Sequence, residues 1–387
     1  MGVWIGRGRK ARSCYGFDDI SLVPGDITLN PAEVDVSTKI AGFELKMPIL
    51  AAAMDGVVDP GFAGEFGKLG GIAVLNLMGV YTRYENPYEV IGNIISSPVE
   101  KATSLIQEIY KEPVKEELIA HRVAECKKNN IICAVSSIPQ WALKYGNIAQ
   151  EAGADIFIVQ STVTTAKHIS KSYNPLDIKS FCSVLKIPVI VGNCVTYKVA
   201  YELLETGISG LLVGIGPGAA CTSREVLGIG IPQVTATVDC AAARDLYYKK
   251  TGRYIPIITD GGMITSGDIC KAFACGADAV MVGSAFVRAK EAPGKGYHWG
   301  MSTSDENLPR GTRVYLGTSG ALKEILYGPA KTDDGTQNLV GAIKLSMASL
   351  GTATLREMQL IDIAIAPAIK TEGKVYQIAK KNLSNKK

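Results

Sequence analysis

Residues 188–214 read PVIVGNCVTYKVAYELLETGISGLLVG and contain two short apolar runs, at 188–193 and 210–214, separated by enough chain for one helix. Neither run alternates between apolar and polar residues, which is typical of parallel strands that are buried on both faces. Gly207 lies just before the second run, where a helix must end and the chain turn back into the sheet. This stretch therefore predicts a strand–helix–strand unit of a parallel sheet.

The same unit recurs along the chain, and Gly153 and Gly276 stand before strands as Gly207 does. Six further apolar runs lie at 48–52, 72–76, 131–136, 155–160, 256–260 and 279–283. Eight β/α units in about 240 residues predict an α/β fold, the (β/α)8 TIM barrel. We expect a single domain over 1–387, with the barrel core at about 45–300 and a flap and tail at 301–387. A doubly wound sheet is the alternative, because it also alternates helices and strands.

The composition narrows the classes of function. The 387 residues are 47% hydrophobic and 20% charged with a net charge of +4, and basic clusters lie only near the two ends, so we expect no nucleic-acid binding. No apolar run approaches the roughly 18 residues that span a bilayer, so we expect no membrane partner. Nine irregularly spaced cysteines without a signal peptide indicate reduced thiols and a cytoplasmic protein. With only three histidines, a zinc site is not expected.

Polar or glycine-rich clusters follow six of the predicted strands, at the rim where the carboxyl ends of barrel strands meet. TIM-barrel active sites are built at this rim. The clusters lie at 54–56, 160–162, 192–193, 214–224, 260–262 and 283–284.

The cluster after the sixth strand, VGIGPGAACTSR at 213–224, carries one thiol and two hydroxyls behind alternating glycines. A single sulfur nucleophile, Cys221, beside the hydroxyls of Thr222 and Ser223 indicates covalent catalysis on a small molecule. The alternative is a glycine turn with an incidental buried cysteine. The convergence of six clusters on one rim favours the catalytic interpretation.

The clusters after the last two strands predict a phosphate site. Gly261–Gly262 and Gly283–Ser284 lie at the usual phosphate-binding corner of this barrel, where small residues expose backbone N–H groups. Asp260 beside them is placed for the two hydroxyls of a ribose. Tight turns between strand and helix would account for the same glycines. No G-x-G-x-x-G follows a strand, so a dinucleotide would not bind in Rossmann fashion.

Four motifs together resemble the IMP dehydrogenase/GMP reductase family over about 15–376. They are GIGPGAACT at 214–222, DGG at 260–262, MVGS at 281–284 and EAPG at 291–294. In that family a thiolate attacks C2 of a purine 5′-monophosphate, and a nicotinamide cofactor gives or takes hydride at the same carbon. The resemblance implies a purine 5′-monophosphate, GMP or IMP, as the substrate.

The resemblance also implies roles for single residues. Cys221 becomes the nucleophile, with Ser223 and Thr222 beside it, and Asp260 the ribose anchor. Gly262, Gly283 and Ser284 become phosphate contacts, and Met54 and Asn193 line the purine pocket. The remaining implied substrate contacts are Gly218, His298, Gly300, Met301 and Arg310, and the cofactor contacts are Gln160, Ser161, Gly214 and Gly216.

Some positions depart from the family pattern. Gln160 replaces an aspartate that holds the cofactor's ribose. His298 stands beside the phosphate, where donation to phosphate and a structural role are both open. Arg310 near the purine either meets an acceptor such as O6 or points to solvent.

The resemblance further implies a potassium ion and a homotetramer or octamer. The backbone carbonyls of Gly216, Gly218 and Cys221 would hold the ion. Glu372 of a neighbouring subunit either contributes to this site or is a solvated carboxylate.

Two features of the family's dehydrogenases are missing from this sequence, and their absence helps to decide which reaction of the family to expect. Residues 77–130 are too few for the regulatory domain of family dehydrogenases, so we expect no inserted domain. No Arg-Tyr pair, which would activate water for hydrolysis, lies at 302–309 after Met301. Glu306 in this segment could protonate departing ammonia, or it is a solvated loop charge.

These absences favour GMP reductase, which converts GMP and NADPH to IMP, ammonia and NADP. The alternatives are an IMP dehydrogenase that uses NAD, and a non-catalytic regulator that binds purine nucleotides.

Overall fold

Eight parallel strands close into a barrel in this computed structural model, which describes residues 2–300, 312–374 and 376–377. The strands neighbour one another in chain order, and the last pairs with the first. They are β1 Ile49–Ala51, β2 Ile72–Asn76, β3 Ala134–Ser137, β4 Ile156–Gln160, β5 Val189–Cys194, β6 Gly210–Val213, β7 Ile257–Asp260 and β8 Ala279–Val282. The predicted TIM barrel is confirmed.

Helices surround the strands, and three of them lie between β2 and β3. The helices up to β8 are α1 Pro60–Lys68, α2 Pro87–Ser96, α3 Val99–Ile109, α4 Glu116–Lys127, α5 Pro139–Glu151, α6 Ile178–Val184, α7 Tyr197–Leu204, α8 Ser223–Val226, α9 Gln233–Thr251 and α10 Ser266–Ala274. After β8 come α11 Ser284–Val287, α12 Leu322–Tyr327, α13 Leu339–Ser349 and α14 Leu355–Met358. In the part of the chain that the structure describes, no helix has the length and apolar character needed to cross a bilayer.

Short antiparallel strand pairs complete the fold. Ile363–Ile365 of the C-terminal segment pairs with Ile20–Leu22 near the N-terminus. The other pairs are Gly2–Gly6 with Arg9–Arg12, Thr38–Ile40 with Phe43–Leu45, and Tyr297–His298 with Val314–Tyr315.

Both faces of the barrel strands are buried, which explains their continuous apolar sequences. In β4, Ile158 packs in the barrel interior with Leu212 and Met281, whereas Phe157 and Val159 pack in the larger core that includes helix residues. Because both faces are buried, the strands carry mostly apolar residues. The polar residues at their carboxyl ends are therefore available to form a site.

The third strand begins later than predicted, at Ala134 and not at 131. The cause is a side chain: the Asp155 carboxylate accepts the N–H of Cys133 at 2.7 Å and also binds Lys127 at 2.7 Å. The N–H of Cys133 therefore binds a carboxylate, whereas its carbonyl accepts the N–H groups of Asp155 at 2.8 Å and Ile156 at 3.2 Å.

A buried ion pair at the opposite end of the barrel stabilises the fold. Arg244 donates from Nη1 to Asp278 at 2.7 Å, and the two side chains are 1% and 11% exposed. We expect Arg244→Met to lower the free energy of unfolding by about 3–5 kcal/mol, because it leaves a buried carboxylate without its cation. Urea denaturation measures the change. Lys39→Met is the control, because its 3.6 Å pair with Glu44 is more than half exposed on both sides and is worth at most about 1 kcal/mol. Equal losses in the two variants would contradict the assignment.

Candidate active site

The cysteine loop leaves the barrel at the end of β6 and depends on a close backbone approach at Gly214. This residue has φ +142°. A Cβ there would lie 2.5 Å from the carbonyl oxygen of Asp260 and 2.6 Å from Nε2 of Gln233. Gln233 Nε2 in turn donates to the carbonyl of Val213 at 2.7 Å. Only glycine lets the loop pass this close to the end of β7.

The thiol of Cys221 contacts a hydroxyl. Its Sγ–H donates to Oγ of Ser223 at 3.2 Å, and its backbone N–H donates to the carbonyl of Gly218 at 3.0 Å. Ser223 is buried and is the first residue of α8, whereas Cys221 is half-buried and lines a cavity. Thr222 precedes α8 as its cap residue and is not among the residues that line this cavity.

Asp260, at the end of β7, is held by two amides. Its Oδ2 accepts from Nδ2 of Asn193 at 2.8 Å and from Nε2 of Gln160 at 2.9 Å. Gln160 also donates to Oδ1 of Asn193 at 3.3 Å. Burial raises the pKa of Asp260 to about 6, although the hydrogen bonds from Asn193 and Gln160 act in the opposite direction. The carboxylate is thus fixed in the cavity wall, where it can accept hydrogen bonds from ligand hydroxyls.

The predicted phosphate corner packs against the cysteine loop. Gly261 and Gly262 have φ +79° and +81°, and a Cβ on Gly262 would lie 3.0 Å from Cβ of Pro217. A Cβ on Gly283 would lie 2.9 Å from Sδ of Met54. The positive φ angles favour glycine at 261 and 262, and the absence of a side chain at Gly283 leaves room for Met54.

His298 is a buried polar side chain in the wall of the cavity. It is 1% exposed, and neither ring nitrogen has a hydrogen-bond partner among the described residues. Burial lowers the pKa of His298 to about 4, so the ring is neutral at neutral pH. The ring lines the same cavity as Cys221. Buried polar groups are almost always hydrogen-bonded, so this ring is a candidate ligand contact.

One cavity collects most of the predicted site residues. The predicted residues that line it are Met54, Gln160, Ser161, Asn193, Gly214, Gly216, Gly218, Cys221, Ser223, Asp260, Gly262, Gly283, Ser284, His298 and Gly300. Sequence reasoning missed Asn76, Ser136 and Ser137, which also line it. These are polar residues at the carboxyl ends of β2 and β3, and this position was the signal that could have identified them.

Other predicted residues are not brought to this cavity. Met301, Glu306 and Arg310 lie outside the described residues. Glu372 is exposed in the C-terminal segment and does not line the cavity of its own chain. Lys370, two residues before it, donates to Asp268 at 3.0 Å and ties this segment to α10.

The barrel and its rim define a class: a TIM-barrel protein with a thiol, a fixed carboxylate and a glycine-lined corner in one cavity. The sequence model of the IMP dehydrogenase/GMP reductase domain matches residues 14–375, and the chain belongs to that family. It is thereby an oxidoreductase of purine nucleotides, and its family uses a nicotinamide cofactor.

Individual relatives extend over nearly the whole chain. An uncharacterized oxidoreductase of Mycolicibacterium smegmatis is 35% identical over 94% of this chain and 99% of its own length. An inosine-5′-monophosphate dehydrogenase of Cryptosporidium parvum is 31% identical over 88% of this chain and 89% of its own length. The crystal structure of an IMP dehydrogenase/GMP reductase-like protein from Corynebacterium glutamicum is 35% identical and has a TM-score of 0.90, covering 94% of this chain and 98% of that one.

Proposed function

We propose that this protein is a GMP reductase that converts GMP and NADPH to IMP, ammonia and NADP through a covalent adduct between Cys221 and C2 of the purine. The observation that carries the proposal is the contact of the Cys221 thiol with Ser223, 3.2 Å away, in the cavity that Asp260 and the glycine corner also line. The direction of the reaction rests on the segment 302–309, which holds no Arg-Tyr pair to activate water.

We assign each step of the reaction before hydride transfer to residues of the chain. Asp260 accepts the ribose hydroxyls, and Gly262, Gly283 and Ser284 bind the phosphate, with Met54 and Asn193 against the purine. The sulfur of Cys221 bonds to C2 as the C2=N3 double bond becomes single and N3 takes up a proton, while the thiol proton leaves through Ser223. The exocyclic nitrogen is then protonated through Ser223 and Glu306, its bond to C2 breaks, and it departs as ammonia as the C2=N3 double bond re-forms and N3 loses its proton.

The reductive step returns the thiolate. A nicotinamide cofactor, when bound, would supply the hydride for C2. The bond between C2 and the Cys221 sulfur then breaks, and its electron pair returns to sulfur as IMP is released. We assign the cofactor to the side of the cavity lined by Gln160, Ser161, Gly214 and Gly216. We further propose Gly300, Met301 and Arg310 as contacts of the purine.

A potassium ion is part of the proposal, because the family resemblance implies one at the cysteine loop. Backbone carbonyls are ligands of hard cations. The carbonyls of Gly216, Gly218 and Cys221 would hold the ion. The exposed Glu372 of a neighbouring subunit would complete the site in a homotetramer or octamer.

Two assays test the function. The purified protein is incubated with GMP and NADPH, and separately with IMP and NAD, while the absorbance of the reduced cofactor is followed. We expect consumption in the first assay only. Production in the second assay alone would establish an IMP dehydrogenase instead. Silence in both assays, with measurable nucleotide binding, would indicate a non-catalytic regulator.

The ring of His298, which has no hydrogen-bond partner among the described residues, leads to a binding prediction. We expect His298→Phe to weaken binding of GMP by roughly 10- to 100-fold, the value of one hydrogen bond to a charged group. Binding of guanosine, which lacks the phosphate, should stay unchanged, and His298→Gln should retain part of the affinity. Isothermal titration calorimetry with both ligands measures this. An equal loss for nucleotide and nucleoside would show that His298 is structural.

A further inference from the structure

The side chain of Arg224 spans the cysteine loop from one end to the other. Its Nε donates to the carbonyl of Ile215 at 3.1 Å, and its Nη2 donates to the carbonyl of Ile231 at 2.9 Å. The first carbonyl lies before Cys221 and the second lies after α8. One guanidinium therefore links the loop segment before Cys221 to the loop segment after α8.

Two glycines of the loop leave room for this side chain. A Cβ on Gly216 would lie 2.7 Å from Cγ of Arg224, and a Cβ on Gly230 would lie 2.9 Å from its Nε. Both glycines have positive φ, +71° and +155°. Any other residue at either position would have to displace the arginine, so the loop is built around it.

The position of the Arg224 side chain affects the position of the Cys221 thiol. Arg224 follows Ser223, whose Oγ accepts the Cys221 thiol, so holding Arg224 also holds the hydroxyl. Burial lowers the pKa of Arg224, and the electrostatic interaction with Cys221 acts in the opposite direction. The same residue thus fixes the loop and keeps a cation within electrostatic range of Cys221.

We propose that Arg224 is the positioning residue that orients Cys221 and Ser223 for attack on the substrate. The proposal rests on Cys221 being the nucleophile, as proposed above. A guanidinium presents donors in a rigid fork, whereas a lysine offers one nitrogen on a flexible stem. Lysine at 224 would keep the charge but could not join both carbonyls in the same geometry.

Arg224→Lys and Arg224→Ala test the inference, with Arg253→Lys as the matched control. Arg253 also donates to two backbone carbonyls, those of Gly207 and Ile208, both at 2.8 Å, but at the other end of the barrel. We expect both Arg224 variants to lose kcat by about 10- to 100-fold, as for a small misplacement of reacting groups. KM for the nucleotide and the unfolding temperature should stay unchanged. Free guanidinium ion should partly restore Arg224→Ala, and methylammonium should not.

Several outcomes would overturn the assignment. Wild-type kcat in Arg224→Lys would show that geometry is not the role of the guanidinium. Arg224 would be only a structural residue if the unfolding temperature of its variants fell together with kcat. The same would hold if Arg253→Lys lost as much kcat as Arg224→Lys. Turnover that survives in Cys221→Ala would instead refute the covalent mechanism itself, so failure of the inference and failure of the proposed function are distinguishable.

Discussion

Replacement of Cys221 by alanine is expected to abolish turnover with GMP and NADPH while nucleotide binding persists. The other groups in the cavity, Asp260 and the glycine corner, should remain in place and should bind ribose and phosphate as proposed above. Without the sulfur no bond to C2 can form, and removal of a nucleophile costs on the order of 10⁴-fold or more in kcat. Cys221→Ser should be almost as inactive, because a hydroxyl is a far weaker nucleophile at its ordinary pKa.

The control for this prediction is Cys182→Ala. Cys182 is also half-buried but lies in α6, so its loss should leave kcat unchanged. Steady-state rates and calorimetric titration with GMP measure the two properties separately. Full activity in Cys221→Ala would refute the covalent mechanism, and loss of nucleotide binding in that variant would show that the thiol contributes to the binding site.

Replacement of Asp260 by asparagine is expected to weaken nucleotide binding and to stabilise the free protein at neutral pH. A hydrogen bond from a ligand hydroxyl to a carboxylate contributes about 1.5–3 kcal/mol to the free energy of binding, which is roughly 10- to 100-fold in Kd. The stability effect has the opposite sign. The pKa of Asp260 is raised to about 6 from 3.8, so its contribution to stability is complete below about pH 4 and is lost as pH rises through about 6.

The pH dependence of binding tests the same carboxylate. As pH falls through about 6, Asp260 becomes protonated, and the affinity for GMP should fall with it. The phosphate also titrates near pH 6, so 2′-deoxy-GMP is the control: it has the same phosphate and one ribose hydroxyl fewer. We expect the affinity ratio of the two nucleotides to shrink at low pH in the wild type and to be constant in Asp260→Asn. A ratio in the wild type that does not change with pH would refute the ribose-anchor role.

Much of the site could be predicted because strand order dictates which residues share a rim. Cys221 and Ser284 follow β6 and β8, and Asp260 is the last residue of β7 between them. A barrel therefore brings the three together without any knowledge of side chains. The first and last residues of the strands were less predictable. Cys133 is apolar and follows a hydrophobic run, yet β3 begins one residue after it. The N–H of Cys133 binds the Asp155 carboxylate, and this contact depends on a residue in the next unit.

The sequence by itself determined the barrel, the rim and the family, because each depends on local patterns: apolar runs buried on both faces, glycines at turns, and motifs at the ends of strands. Only the tertiary structure decided how the side chains pair. Gln160 donates to Asp260, a partner 100 residues away along the chain, and His298 is left without a partner among the described residues. Hydrogen bonding across the mouth of the barrel depends on how the rim residues face one another, and no local pattern encodes that arrangement.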